Sequence, residues 1–168
     1  MVLTKQELIT SLQHEVHILL HLASKIDRTE LDYRPTPKQR STIELLRYLS
    51  EMGPLLVQVA KSGMPDEATL KAVIEVSNAR DFDQTLAEIA KHKDAYASLL
   101  AGVSDADLRG EMEWFGSKTT RGAFIVNIAL CGCAAYRTQL FLYLKACGRD
   151  ELGTMNLWYG MDAPVAAV

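Results

Sequence analysis

Cysteine is scarce in this chain: among its 168 residues only Cys131, Cys133 and Cys147 occur, with no C-x-x-C spacing. An odd, small set of this kind fits reduced thiols in a cytoplasm, packed as small hydrophobes. Five prolines and ten glycines are spread thinly, which argues against a disordered or collagen-like chain. No apolar run reaches the roughly 18 residues that a bilayer span needs. The longest, from Ala123 to Ala135, is broken by Asn127 and Gly132. The opening MVLTKQELIT is polar and lacks the charged-then-apolar pattern of a signal peptide. Net charge is only −3 and there is no lysine or arginine cluster, so neither nucleic acid nor an anionic membrane is an expected partner. G-x-S-x-G, a phosphate-binding Walker sequence and G-x-G-x-x-G are all missing, which removes the common hydrolase and nucleotide-binding signatures.

What is present is helix. The length suits one domain over residues 1–168, with a core at about 4–148 and a tail from 149. The first helix starts at Thr4, with Glu7 completing a capping box, and Ile9, Leu12, Val16, Leu19, Ala23 and Ile26 form one stripe. Pro35 and Pro37 interrupt a long connection. The second helix starts at Ser41, again with Glu44 three residues on, and its stripe runs through Ile43, Leu46, Leu49, Met52 or Gly53, Leu56 and Val59. Pro54 kinks this helix without ending it. A short helix over 66–74 is weaker. The third long helix starts at Asp81 or Asp83, with a stripe interrupted at Lys93, and Gly102 is its candidate C-terminal cap. A loop follows, with a short extended piece at 111–115. The fourth long helix, from Thr119 or Thr120 to Cys147, is apolar all round, which predicts burial on most faces, by the bundle or by a second copy in a homodimer. Leu157, Trp158 and Tyr159 are positioned to fold back as an apolar plug, and the last five residues are expected to fray. The fold class is all-α: a four-helix bundle with a long connection between helices 1 and 2.

Few residues here carry chemistry. His14, His17 and His21 share one helical face opposite the apolar stripe. Neutral imidazoles suit zinc or nickel, but three ligands from one straight helix give poor tetrahedral geometry, so a solvated or subunit-contact face is the simpler reading. His92 stands between two lysines and reads as surface. Cys131 and Cys133 point about 200° apart on a helix, at about 100° per residue, and cannot share a metal from that spacing.

Three segments together resemble the DinB/YfiT-like superfamily of bacterial four-helix bundles. TyrArgProThrProLysGlnArgSerThrIleGluLeuLeuArgTyrLeu (33–49) is similar to the family's W-x-P-x-x-x-x-S-x-x-E-L-L-x-H-L. TyrArgThrGlnLeu (136–140) is similar to its H-R-x-Q-L. TyrLeuLysAlaCysGly and the later TrpTyrGly (158–160) resemble its closing L-R-x-x-G and terminal aromatic-Gly. The resemblance implies a site where three histidines bind a divalent metal that activates a thiol for transfer. The matching positions here are Tyr48, Gly132 and Tyr136. Two phenols and a glycine are poor substitutes for imidazole, so no metal and no other cofactor is expected. These positions, with Arg137 and Gln139 beside them in sequence, are either filled core or a pocket for a small organic ligand; Arg137 reads as half of a structural ion pair. Two functions follow from the resemblance: a metal-free binding protein, or an enzyme of the thiol-dependent S-transferase or hydrolase kind.

Overall fold

The computed structural model describes residues 3–164. Helix α1 (Lys5–Ala23) begins at the Thr4–Glu7 capping box: the Thr4 hydroxyl accepts the Glu7 amide and the Glu7 carboxylate accepts the Thr4 amide. Helix α2 (Thr42–Ser62) begins the same way at Ser41 and Glu44. Helix α4 (Phe82–Leu100) begins at Asp81, whose carboxylate accepts the Gln84 amide. Asp83 instead pairs with Arg28. These caps satisfy donors that the helix itself leaves open.

The connection between α1 and α2 contains one 3₁₀ turn, Arg28–Glu30, capped by Asp27. Its far end is pinned to α2, since the Thr42 and Ile43 amides donate to the Tyr33 and Leu31 carbonyls. This length of chain is needed because α1 and α2 are diagonal in the bundle. Around the core the order is α1, α4, α2 and α7 (Cys131–Ala146). The Gln13 amide donates to the Lys93 carbonyl and the Lys5 ammonium to the Ala101 carbonyl, so α1 and α4 run antiparallel. Ser50 against His92, and Gly53 against Tyr96, make α2 and α4 parallel. Parallel neighbours need a return connection. That connection is helix α3 (Glu67–Ala79), capped by Asp66, which continues past the end of the short helix expected over 66–74.

After α4 come a one-turn helix α5 (Asp105–Arg109) and a hairpin of β1 (Glu111–Trp114) and β2 (Ser117–Thr120). Phe115 and Gly116 form its two-residue turn, with φ of 47° and 77°. Positive φ at both positions is the geometry that twists with an antiparallel pair. The chain alternates too briefly there for sequence to show more than an extended piece. Gly102 is not the cap of α4; Ala101 is, in ordinary helical conformation.

The last long helix runs from Arg121 to Ala146 and holds three parts: one α turn, α6 (Arg121–Phe124), a π-helical stretch over Ile125–Leu130, and α7. By length and composition it would pass for a membrane span, yet it packs against α1 and α2 as a bundle member. Within this chain the bundle leaves part of it uncovered: Leu142 is 59% exposed, and Asn127, Cys131 and Ala135 are also on the outer side. Helix α7 packs on α1, α2 and the C-terminal helix α8 (Thr154–Tyr159), and the stripe that faces away from them stays open. The chain after 148 is more than an appendage, because Leu152 and Asn156 are buried and α8 lies on α1. Trp158 and Tyr159 stay more than half exposed, so of the expected plug only Leu157 is partly covered. Most of the residues expected to fray, 165–168, lie outside the described ones.

His92 is the largest departure from the sequence reading. It is 5% exposed, and its Nε2 sits 2.9 Å from the Ser50 carbonyl. The reason lies in α2. Pro54 has no N–H, so the Ser50 carbonyl one turn earlier loses its helical donor. A carbonyl only accepts, so His92 carries its proton on Nε2 and supplies the missing bond. The buried face of α4 runs Thr85, Ile89, His92, Tyr96, Leu100, with His92 in place of the polar interruption at Lys93. Burial pushes the His92 pKa below its ordinary 6.5. The unfolded chain therefore takes up this proton first, and stability is full above pH 6.5 and falls as the pH drops from there towards the folded value. His21, also lowered, acts with the same sign. His92→Leu is expected to cost about 1–3 kcal/mol and to flatten the acid-side slope. In a Pro54→Ala background, where an amide can again reach Ser50, the same change should cost clearly less. Urea titrations from pH 5 to 8 check both.

Candidate functional site

The family-like positions come together where α2 faces α7. Tyr48 and Tyr136 pack edge to face, with ring centroids 5.1 Å apart and planes at 71°. A Cβ on Gly132 would sit in ordinary contact, 3.5 Å from the Met52 methyl, so Met52 occupies the space into which a longer side chain there would extend. At the next residue of α2, the Tyr96 hydroxyl reaches to 2.0 Å of where a Gly53 Cβ would be, with the Cys133 sulfur behind it at 3.6 Å. The α7 glycine thus faces a side chain of α2 and the α2 glycine one of α4, and the interior of the bundle is closed at this level.

The electrostatics agree with a closed interior. Burial and the neighbouring Tyr136 phenol push the Tyr48 pKa up to about 12. Burial pushes the Cys133 thiol up to about 12, and it raises the Tyr96 phenol further still. At neutral pH all three remain protonated, so Cys133 offers no thiolate. Cys131 points outward on the opposite side of the helix.

Arg137 faces α1 instead of the tyrosines. Its guanidinium forms a buried two-point ion pair with Glu15, and it also donates to the Leu157 carbonyl and lies 5.7 Å from the Trp158 ring centroid. The structural ion pair read from sequence is therefore present. It ties α1, α7 and α8 together. Gln139 is engaged by its own helix: its side-chain amide donates to the Tyr143 hydroxyl at 2.5 Å, which in turn donates to the Arg40 carbonyl at 2.9 Å.

The three α1 histidines do not converge on one point. His14 Nε2 is 3.1 Å from the Trp158 carbonyl, and His21 Nε2 is 3.0 Å from the Asn156 amide and 3.7 Å from Asp162. The rings of His14 and His17 are stacked 6.3 Å apart. Their face is covered in part by α8; His21 is mostly buried there, while His14 and His17 stay exposed. Among the described residues no three His, Cys, Asp or Glu side chains gather as a metal would need. The donor set at Tyr48, Gly132 and Tyr136 does not fit a divalent metal either: glycine has no donor, and the Tyr48 phenol holds its proton far above neutrality.

The open space lies on the other side of Tyr48. A groove of about 460 Å³ runs between α2 and α3, lined by Tyr48, Met52, Leu55 and Leu56 on one wall and Leu70, Val73 and Ile74 on the other, with Arg40, Glu44 and Glu51 along its edge. It exists because α3 buries only Ser77. The Ser77 hydroxyl donates to the Arg47 carbonyl, and the Arg47 Nε donates to the Arg80 carbonyl, so the end of α3 is fastened to α2. One turn before Ser77, Ile74 is left 50% exposed. Sequence reasoning missed this wall. The available signal was Leu70, Val73, Ile74 and Ser77, which share a helical face at intervals of three and four.

No protein-family model matches the chain, and no curated protein matches it. Among solved structures it is similar to the crystal structure of the DinB-like protein YjoA from Bacillus subtilis, with a TM-score of 0.68 and 20% identity over 88% of this chain and 95% of that one. At that identity the likeness shows the fold, which is all-α and DinB-like.

Proposed function

We propose that this chain of DinB-like fold is a metal-independent binding protein that takes a small organic ligand in the α2–α3 groove. One observation carries the reading: the bundle interior at Tyr48, Gly132 and Tyr136 is filled by Met52 and the paired rings, while the other side of Tyr48 borders an apolar groove of about 460 Å³. That volume is in the range of small-molecule sites, and the mix of apolar walls with a few polar groups at the edge is typical of them. The alternative, a thiol-dependent S-transferase or hydrolase, needs a donor set or an activated thiol, and the residues at the matching positions supply neither.

A neutral fluorescent probe, N-phenyl-1-naphthylamine, is expected to bind with enhanced emission. Ile74→Lys places a charge in the groove wall at a half-exposed position and should weaken binding at least tenfold while leaving thermal stability within a few degrees. Probe binding unaffected by that change would overturn the reading. Nickel or zinc is expected to leave the melting temperature unchanged. Stabilisation by either metal that Tyr48→Phe removes would return the enzyme alternative, since only preferential binding to the folded state raises the transition.

A further inference from the structure

We propose that the ligand of this groove is an apolar molecule bearing a carboxylate, with Arg40 holding the carboxylate and the tail lying between Met52, Leu56, Leu70 and Ile74. The inference rests on the groove reading above and adds the chemistry of the occupant.

The argument is one of charge accounting. Three ionised side chains border the groove. Glu44 is already satisfied, accepting the Ser41 amide at 2.8 Å and the Arg34 guanidinium at 3.2 Å. Glu51 is paired with Arg80. Both carboxylates are thus neutralised by partners of their own. Arg40 is different: among the described residues no carboxylate lies within 4.0 Å of it. Its guanidinium is over the Tyr48 ring, 4.1 Å from the centroid. An arginine held on a ring keeps N–H donors to offer, and their fork matches the two oxygens of a carboxylate.

Its position is also anchored. The Arg40 carbonyl accepts the Tyr143 hydroxyl at 2.9 Å, and the next residue, Ser41, begins α2. The cation therefore stands at the N-terminal end of α2, and the apolar wall leads away from it through Tyr48, Met52 and Leu56, a distance of about 12 Å from Tyr48 to Leu56 at 1.5 Å per residue. A head at Arg40 and a tail along α2 fit this order of groups. The Tyr48 phenol, whose pKa is raised to about 12, stays neutral and does not repel an anion. A cationic ligand would find no free carboxylate here.

Competition against N-phenyl-1-naphthylamine tests the class. Decanoate, decanol and decyltrimethylammonium share one tail and differ in head. Decanoate is expected to displace the probe at least tenfold more tightly than decanol, with the cation weakest. Arg40→Gln, an exposed change, should abolish that preference while the probe and decanol still bind. Decanol equal to decanoate, or a preference that survives in Arg40→Gln, would overturn the carboxylate assignment and leave the groove reading standing, because the probe would still be displaced and Ile74→Lys would still block it. Absence of probe binding to the unaltered protein would instead remove the groove reading, and this inference with it.

Discussion

Glu15→Ala is expected to destabilise the protein by about 3–5 kcal/mol, among the largest effects a single substitution here can have. Glu15 and Arg137 are both nearly inaccessible, with side chains 11% and 7% exposed, and each desolvates the other. Taking away the carboxylate leaves a buried guanidinium with the Leu157 carbonyl as its remaining polar partner. The loss follows from the desolvation of an unpaired charge, so removing both charges should be far milder. Glu15→Leu with Arg137→Met replaces the pair by apolar groups and is expected to lie within about 1–2 kcal/mol of the starting protein. Urea unfolding of the two single variants and the double variant measures the coupling. Single variants that cost less than about 1 kcal/mol would mean that water reaches the pair. Because Arg137 also holds α8 through Leu157, Glu15→Ala should also speed proteolysis between 150 and 160, well before global unfolding.

The second large effect belongs to Gly53. Its missing side chain is what admits the Tyr96 hydroxyl, and an alanine there would place Cβ 2.0 Å from that oxygen. Gly53→Ala removes backbone entropy from the unfolded chain, which by itself favours folding by about 0.4–1 kcal/mol. Overpacking wins, since Tyr96 is 1% exposed and has nowhere to move; a net loss of about 2–3 kcal/mol is expected. Tyr96→Phe deletes the clashing atom and leaves the ring carbon at 3.2 Å, so Gly53→Ala should cost about 1 kcal/mol or less in that background. Equal costs in both backgrounds would show that the hydroxyl is not the obstacle. Thermal unfolding of the four combinations suffices, and the result bears on whether the bundle interior is closed at this level.

Sequence likeness to DinB/YfiT-like proteins pointed to Tyr48, Gly132 and Tyr136 as one locus, and the fold brings them together. It could not say whether the locus was open. That depended on Met52, a residue of α2 whose thioether lies against a glycine on another helix, and side-chain spacing along one helix contains no such information. Arg137 and Gln139 were placed beside the site by sequence adjacency. Adjacent positions on a helix turn about 100° from one another, so Arg137 faces α1, while Gln139 shares the face of Tyr136 but is held by Tyr143.

Local chemistry determined what the sequence alone could state: where helices start, since Thr4, Ser41 and Asp81 bond amides three residues on; where they are interrupted, since Pro35 and Pro37 disfavour helix; and which faces of α1 and α2 are apolar. The tertiary structure decided everything that depends on a partner distant in sequence. It set α1 and α2 on a diagonal, made α3 the return between two parallel helices, and buried His92 to serve a carbonyl orphaned by Pro54. It also left the apolar face of α3 standing away from α2 as a groove. The physical reason is common to all four: a cap or a helix break is completed within a few residues, whereas burial and hydrogen-bond satisfaction are completed only when separate helices pack.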